Sequence, residues 1–258
     1  MKIFFILPEI INCGPVNVVL NLAIEFLKDH KNSVSIVSIR SNDNNYINEF
    51  QSVGVKSFYS LSDRDKFFDK VLYLKKVTKD ADVIHTHGFY PDFYSAFFVS
   101  NNIRKVSTAH CLFFKDYQLE YGDIKGFIYA LLHHMVYRFS SFDMIVGCSK
   151  SVTNSLKKLS FLSNNRLTTI HNGVNRDRFV EKIEFDKSVL KSSLISKYNL
   201  KVTRGASIFI YTGRIIRRKK VYEMIEWFLK TQSPSNILII VGEGEEMGLC
   251  KGIAKSNK

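Results

Sequence analysis

The sequence predicts an α/β fold in which doubly wound parallel sheets carry helices on both faces. Short apolar runs recur along the chain, and runs of this kind form strands that are buried on both faces. Each run is followed by a segment whose apolar residues recur at helical spacing. This alternation favours parallel strands, because parallel neighbours need a long crossover that a helix can supply.

One large unit is expected to hold most of the strands. The first strand is "KIFFIL" at 2–7, and Pro15 suits the first turn of a helix that follows Gly14. A basic amphipathic helix is expected through Phe67, Val71 and Leu74. The remaining strands of this unit are expected at 33–39, 55–61, 82–87, 105–110, 143–149 and 166–174.

A second, smaller α/β unit is expected further along the chain. Residues 174–203 are polar and indicate a linker region with one helix at Lys187–Tyr198. Strand Ser207–Tyr211, helix Lys219–Lys230 and strand Asn236–Val241 follow. The polar residues after Val241 predict no further buried helix, so this unit is expected to be incomplete. The resulting domain boundaries are 1–173, 174–203 and 204–258.

The composition indicates a packed protein with an anionic partner. Apolar residues make up 45% and aromatic residues 13% of the chain, which excludes a disordered protein. The net charge of +13 suits nucleic acid, a phosphorylated small molecule or an acidic membrane. The four cysteines form no CxxC pair, which favours reduced thiols in the cytosol. No apolar run approaches the roughly 18 residues of a membrane span, so a soluble or peripheral protein is expected.

The segment "YTGRIIRRKK" at 211–220 concentrates positive charge where a predicted strand gives way to a helix. Like charges repel, so these side chains are either spread into water or face an anion. Ligands of open α/β sheets bind beyond the carboxyl ends of the strands. The polar or glycine residues that follow predicted strands are Asn12, Gly14, His87, Gly88, His110, Ser149, Gly213 and Arg214.

Seven pieces of sequence in a fixed order carry a resemblance to a known family. They are "GPVNVVLNLAIEFLKDHKNSVSIVS", "DVIHTHG", "STAH", "GCSKSVTNSL", "TIHNGVNRDRF", "YTGRIIRRKK" and "ILIIVGEGEE", spread over residues 1–246. Together they resemble the retaining glycosyltransferases of family 4, whose GT-B fold consists of two Rossmann-like domains. Asn175 stands where the family usually has Asp, and Lys220 where it usually has Gly.

The resemblance implies a UDP- or GDP-sugar donor whose diphosphate is held by Arg214 and Lys219, beside Gly213. An arginine fork and a lysine charge stabilise the negative charge that grows on the departing phosphate, so no metal or other cofactor is expected. The alternative for these two side chains is a solvated helix start. Solvation is the expected state of Arg217 and of the other basic residues beside them.

His110 aligns with a family histidine that lies by the transferred sugar and orients it, and the alternative is a structural histidine at a strand end. Gly14 would let a donor phosphate or an acceptor approach the backbone, and the alternative is a plain turn glycine. Further candidate site residues are His87, Asn172 and Gly242. His85 and His87 also have the spacing of metal ligands, but no third ligand accompanies them, so no metal site is expected.

Two motifs typical of other protein classes are set aside. "DRD" at 63–65 matches the metal-binding acidic pair of glycosyltransferases of another fold, but Ser62 precedes it as a helix cap, which accounts for it better. "GEGEEMG" at 242–248 resembles a dinucleotide-binding run. The strand and acidic residue that complete that fingerprint do not follow it.

The segment "IKGFIYALLHHMVYRF" at 124–139 predicts a strongly apolar helix. Its large side chains form one stripe: Ile124, Phe127, Ile128, Leu131, Leu132, Met135 and Phe139. Packing of this stripe against the core is expected. The alternative is contact with a membrane, helped by Lys125 and Arg138, because glycosyltransferases of this type often dock through the N-terminal domain where lipid-linked acceptors lie.

The resemblance therefore implies a cytoplasmic hexosyltransferase, peripheral on the inner face of the membrane, that acts on a glycan or lipid-linked acceptor in O-antigen or capsule synthesis. The Glu-x7-Glu segment with which the family contacts the donor sugar has no counterpart in this sequence. A truncated product is the favoured explanation. The alternatives are an enzyme completed by a second chain and a remnant module that binds only acceptor or anion. Nucleic-acid binding rests on charge alone and is not expected, since no base-stacking or groove-reading element is found.

Overall fold

The computed structural model describes residues 1–40, 44–61, 66–174, 186–200, 205–233 and 235–256. The "DRD" motif at 63–65, Ser62 and Asn175 lie outside these ranges. The chain divides into two compact units, unit 1 (Met1–Arg176) and unit 2 (Asp177–Lys258). The linker predicted at 174–203 lies partly outside the described residues, so its extent stays a prediction.

Unit 1 is built on a sheet of seven strands. They are β1 (Lys2–Leu7), β2 (Ser33–Ser38), β3 (Ser57–Ser60), β4 (Val83–His87), β5 (Arg104–Ala109), β6 (Met144–Gly147) and β7 (Leu167–Thr169). Their spatial order is β3-β2-β1-β4-β5-β6-β7, and every neighbouring pair is parallel, which confirms the predicted fold class. The order reverses between β1 and β4, so a ligand is expected beyond the carboxyl ends of these two strands.

Helices alternate with the strands of unit 1, as the sequence predicted. They are α1 (Gly14–Leu27), α2 (Asn44–Ser52), α3 (Phe67–Thr78), α4 (Phe89–Phe98), α5 (Phe113–Tyr121), α6 (Asp123–Phe139) and α7 (Lys150–Leu159), and a short 3₁₀ helix spans Asn164–Arg166. Pro15 lies in the first turn of α1, where its missing amide proton costs nothing. The Ser149 hydroxyl accepts a hydrogen bond from the Val152 amide and so caps α7.

β1 joins the two helical layers of unit 1 because its side chains point alternately to the two faces of the sheet. Phe5 and its neighbours on one face pack with α1 and α2, and Phe4 and Ile6 on the other face pack with α3 and α4. The residues Ile3–Leu7 are all buried. A continuous apolar run is therefore what a central parallel strand with two covered faces requires.

The prediction that the apolar stripe of α6 packs against the core is wrong. All seven large side chains of the stripe are exposed, with Ile124 79% and Phe139 68% accessible. The core instead contacts the opposite side of α6, through Ala130, His133 and Tyr137. None of the helices in the described ranges is both long enough and apolar enough to cross a membrane.

Unit 2 has a small core of its own. Its elements are α8 (Lys187–Lys197), β8 (Ile208–Thr212), a 3₁₀ helix at Arg217–Lys219, α9 (Val221–Thr231), β9 (Ile237–Val241) and α10 (Met247–Ser256). β8 and β9 pair in parallel. The sequence predicted no buried helix after Val241, and this prediction is wrong. Met247, Cys250 and Ile253 recur at helical spacing, and α10 packs them against α9.

Candidate functional site

Two histidines meet at the carboxyl edge of the unit 1 sheet. His87 ends β4 and His110 directly follows the neighbouring strand β5. His87 Nδ1 lies 2.7 Å from His110 Nε2, and the two rings stack with their centroids 5.0 Å apart. The structure thus brings together two of the residues that the sequence singled out, next to the point where the strand order reverses.

Both histidines are held neutral near pH 7. Burial lowers the pKa of His110 to about 4, and the nearby Asp92 only partly opposes this effect. Burial, followed by repulsion from His85 and His110, holds the pKa of His87 well below its ordinary value. His87 Nε2 is buried and has no hydrogen-bond partner among the described residues. His110 is partly exposed, so its neutral ring can form a hydrogen bond with a sugar without adding a charge, whereas His87 is enclosed behind it.

A cavity of about 290 Å³, here called the tyrosine cavity, opens at the same edge of the sheet. It is lined by Pro8, Glu9, Arg40, Gly88, Phe89, Tyr90, Tyr117, Glu120, Tyr121 and Tyr129. Pro8 follows β1, and Gly88 follows β4, so the cavity lies at the reversal of strand order. Aromatic walls with a few charged groups are typical of small-molecule sites, and here they can contact sugar rings and bind their hydroxyls.

The tyrosine cavity is connected to a buried chain of polar side chains that the sequence did not reveal. His133 Nε2 lies 2.7 Å from Asp92 Oδ2, and His133 Nδ1 lies 2.8 Å from the Tyr117 hydroxyl. Because a carboxylate only accepts, His133 Nε2 carries a proton, and in the neutral ring Nδ1 then accepts a hydrogen bond from the Tyr117 hydroxyl. Burial raises the pKa of Tyr117, so its phenol stays protonated.

Asp92 is the centre of this polar network. Its carboxyl group accepts hydrogen bonds from the Ser107 hydroxyl at 2.6 Å, from the Tyr137 hydroxyl at 3.0 Å and from the Thr86 hydroxyl. It is completely enclosed, and a buried carboxylate persists only when donors surround it in this way. The signal available in the sequence was a pair of histidines inside an otherwise apolar helix, His133 and His134.

Two glycine loops meet beyond β8 and β9 in unit 2. The Gly213 amide donates to Val241 O at 3.0 Å, and the Ile215 amide donates to Glu243 O at 2.8 Å. A Cβ atom at Gly242 would lie 1.8 Å from Gly213 O, and one at Gly244 would lie 2.1 Å from Ile215 O. The backbones are therefore too close for any side chain at these two positions.

Basic residues lie in and after the first of these loops, which begins at Gly213. Arg214 and Lys219 are both exposed, and neither forms an ion pair with a carboxylate in the part of the chain that the structure describes. Lys219 ends the 3₁₀ helix, and Lys220 then adopts φ 52° and ψ 39°, in the left-handed region. That conformation explains why the resembling family usually has Gly at this position.

The remaining candidates are Gly14, Asn172 and the histidine pair at the end of β4. α1 begins at the exposed Gly14, and a Cβ atom there would meet nothing within 4 Å. Asn172 is exposed after β7. His85 and His87 stack with ring centroids 4.5 Å apart, but the described residues include no group of three His, Cys, Asp or Glu that could hold a metal ion.

Known proteins share this architecture. WclY, an O-antigen biosynthesis glycosyltransferase of Escherichia coli, is 26% identical over 240 residues, which cover 87% of this chain and 61% of WclY. Anabaena Alr3699/HepE, solved with UDP-glucose, superposes with a TM-score of 0.70 at 12% identity, covering 100% of this chain and 65% of that protein. The lipopolysaccharide outer core galactosyltransferase WaaB, in its apo form, gives 0.56 at 14% identity, with the same coverage of 100% and 65%.

These similarities establish the fold and the family. The chain spans 61% of the length of its curated relative WclY. The structural matches confirm the GT-B fold that the sequence resemblance implied. A model of Glycosyltransferase Family 4 matches residues 13–178, more than half of the sequence, and this chain therefore belongs to Glycosyltransferase Family 4.

Proposed function

We propose that this chain is a retaining hexosyltransferase that uses a UDP- or GDP-sugar and acts in cell-surface polysaccharide synthesis. Membership of the family supports the transfer chemistry. The name of the E. coli relative supports a role in polysaccharide synthesis, and the UDP-glucose bound to HepE supports a nucleotide-sugar donor. The observation that carries the proposal is the neutral His87–His110 pair beside a cavity at the reversal of strand order.

In this proposal, unit 2 binds the donor diphosphate. Arg214 and Lys219 are exposed beside the two loops in which the backbones of Gly213 and Gly242 lie against each other. Their positive charges would stabilise the diphosphate as it takes up the electrons of the breaking C1–O bond, in the role that a metal ion has in other transferases. Removal of divalent metal should therefore leave the rate unchanged.

His110 would orient the transferred sugar and leave proton transfer to the substrates. The bond from the sugar C1 to the acceptor oxygen forms on the face from which the diphosphate departs. The acceptor proton passes to a phosphate oxygen, so charge and atoms balance. Since the pKa of His110 is about 4, the wild-type rate should show no step from this histidine between about pH 5 and pH 8.

We place the enzyme in the cytoplasm at the inner face of the membrane, with a glycan or glycolipid acceptor bound in the tyrosine cavity. Arg40, Glu9 and Glu120 supply hydrogen-bonding groups for sugar hydroxyls in that cavity. The possibility that a second chain completes unit 2 stays a prediction. Phe209, Ile210 and Val241 are exposed apolar residues of the β8–β9 sheet, and side chains of a strand point to the faces of its sheet, so they are consistent with further elements packed on those faces.

Release of nucleotide from UDP- and GDP-hexoses tests the proposal. His110→Asn should slow release roughly 100-fold, the usual effect of a misplaced reacting group, while the fold measured by circular dichroism is kept. His30→Asn, which changes an exposed histidine outside the site, should have no effect. The proposal fails if the folded wild-type chain releases no nucleotide from any of these donors, or if His110→Asn releases it at the wild-type rate.

A further inference from the structure

His87 lies between two other histidine rings at the end of β4. Its ring stacks on that of His85, with centroids 4.5 Å apart, and on that of His110, with centroids 5.0 Å apart. The centroid of the Phe5 ring lies 6.2 Å from that of His87. Rings on several sides leave the His87 ring little room to rotate, so its two nitrogens are held in fixed directions.

The groups next to His87 are anchored as well. His85 Nε2 lies 2.8 Å from the Thr108 hydroxyl oxygen on the neighbouring strand β5. Gly88 adopts φ 94°, in the left-handed region, and a Cβ atom there would lie 3.1 Å from Pro8 Cγ. The ring before His87 and the backbone after it are therefore both fixed, which holds the His87 ring against His110.

The contact of 2.7 Å between His87 Nδ1 and His110 Nε2 contains one proton. Both rings are neutral near pH 7, so each ring carries one N–H and one bare nitrogen. Either His87 donates from Nδ1, or His110 donates from Nε2. The two arrangements differ in the nitrogen that carries the proton of each ring, and so in what His110 can offer to a ligand.

The enclosed Nε2 of His87 distinguishes the two arrangements. This atom is buried and has no hydrogen-bond partner among the described residues. If His110 were the donor, the proton of His87 would lie on this Nε2, as an enclosed N–H without an acceptor. Such N–H groups are rare in folded proteins, and unpaired acceptors are tolerated more often. The arrangement in which His87 donates leaves only a lone pair unpaired, and it is therefore favoured.

His110 then carries its own proton on Nδ1. Within the described part of the chain, no residue forms a hydrogen bond with this nitrogen, and it is not one of the enclosed polar atoms that lack a partner. The Nδ1–H group is thus left to donate to an oxygen of a ligand at the carboxyl edge of the sheet. In the opposite tautomer, His110 would offer a lone pair and would bind a hydroxyl hydrogen instead.

We infer that His87 is a positioning residue, whose Nδ1–H donates to His110 Nε2 and thereby directs the Nδ1–H of His110 to an oxygen of the transferred sugar. This inference rests on the proposed function and deepens it, because it assigns the donor to one nitrogen of His110. It also gives a task to His87, which is enclosed behind His110. Free histidine in water prefers the Nε2–H tautomer, so the fold imposes the Nδ1–H form on both rings.

Nitrogen-15 NMR of the chain labelled in its histidine rings tests the inference without substrate. Protonated and bare ring nitrogens resonate at clearly different frequencies, and the signals are assigned by their loss in His110→Asn and in His87→Leu. At pH 7 both rings of the wild type should carry the proton on Nδ1. His87→Leu should bring the Nε2–H tautomer of His110 into view, because leucine cannot donate. His87→Asn places an amide N–H near the position of Nδ1 and should keep the wild-type tautomer of His110.

The rate of nucleotide release from UDP- and GDP-hexoses adds a functional measurement. His87→Leu should lower kcat roughly tenfold and change KM less than about twofold, because it misdirects a hydrogen bond to the sugar while unit 2 still binds the diphosphate. His87→Asn should recover most of this loss.

His134→Leu is the matched control, since it replaces another buried histidine, whose Nδ1 lies 2.7 Å from the Ser160 hydroxyl oxygen. It should change neither kcat nor the tautomer of His110. Circular dichroism shows whether each variant folds. If His87→Leu does not fold, the wild-type tautomer and His87→Asn decide the inference.

The inference is overturned if the wild type carries the proton of His110 on Nε2, or if folded His87→Leu leaves either the tautomer or kcat at its wild-type value. It is also overturned if His87→Asn is as slow as His87→Leu, which would assign the effect to the shape of the buried ring. Failure of the proposed function is a different outcome, namely a folded wild type that releases no nucleotide. The tautomers are measured on the free chain, so they decide the inference in that case as well.

Discussion

His133 Nε2 lies 2.7 Å from Asp92 Oδ2, and both side chains are enclosed by the core of unit 1. The carboxyl group sets the tautomer of His133, and His133 in turn sets the direction of the Tyr117 hydroxyl hydrogen. Tyr117 lines the tyrosine cavity, so its oxygen lone pairs are left to accept a hydrogen bond from a ligand. A buried network thus orients one group of the candidate acceptor site.

Tyr117→Phe tests this orientation, because it keeps the ring and removes the oxygen. The dissociation constant of maltose, used as a probe for a sugar in the tyrosine cavity, should rise about fivefold, equivalent to about 1 kcal/mol for one hydrogen bond. Titration calorimetry measures this change, with nucleotide binding as an internal reference that should stay the same. Tyr59→Phe, on β3 and outside the cavity, is the matched control. Equal affinities for Tyr117→Phe and wild type would show that the phenol oxygen does not contact the ligand.

The buried histidines should make unit 1 sensitive to acid. Burial, with a smaller contribution from His133, lowers the pKa of His134 to about 4, and burial lowers that of His110 to about 4. In the unfolded chain a histidine titrates near 6.5. Between these values the unfolded chain binds more protons, so the free energy of unfolding is greatest above about pH 6.5 and falls as the pH drops to about 4.

His134→Gln should flatten this fall. Each titrating histidine contributes at most about 1.4 kcal/mol per pH unit to the slope, and the variant removes one. Urea unfolding at a series of pH values measures the slope. Val152→Ala removes apolar volume from the same core cluster without a titrating group, so it should lower the free energy at every pH alike. A slope that His134→Gln leaves unchanged would mean that His134 is not held neutral by the fold.

Lys220 should be a point of backbone strain in unit 2. Its φ of 52° lies in the left-handed region, which costs a residue with a Cβ atom roughly 1 kcal/mol. Its ion pair with Glu223, at 3.9 Å between exposed side chains, contributes little. Lys220→Gly should therefore raise the free energy of unfolding by up to about 1 kcal/mol in urea titration.

Lys230→Gly is the control for the strain at Lys220. Lys230 lies in the last turn of α9, so its replacement by glycine should lower the free energy of unfolding by up to about 1 kcal/mol. The two variants are therefore expected to change the free energy of unfolding in opposite directions. A Lys220→Gly variant that is less stable than wild type would contradict the strain.

Most of the sheet could be predicted from the sequence, for a local reason. A strand such as Lys2–Leu7, buried on both faces, must be apolar at nearly every position, and the run therefore marks its own limits. The edge of the sheet where ligands bind follows from the direction of the strands, so the sequence predicts that His87 and His110 lie at that edge, where the structure brings them into contact.

The inner side of α6 could not be predicted, because its contacts depend on tertiary packing. A Cβ atom at Gly126 would lie 2.4 Å from the Gln118 backbone, so α5 and α6 approach each other closely at a position where α6 has no side chain. Glycine, alanine, histidine and tyrosine residues thus face the core while the large apolar side chains of the stripe face outward, the reverse of the expected pattern. The Asp92–His133 contact joins residues far apart in the chain, and no local spacing indicates it.

The central claim is that the chain binds a nucleotide-sugar donor through its basic loop in unit 2. Titration calorimetry of the purified chain with UDP, GDP and their hexose conjugates tests it most directly, together with Arg214→Ala and Arg217→Ala. The account predicts micromolar binding of one nucleotide, weakened about 30-fold by Arg214→Ala through the loss of about 2 kcal/mol of charge-assisted hydrogen bonding, and unchanged by Arg217→Ala. Absence of binding at millimolar nucleotide, by a chain shown to be folded, would contradict it.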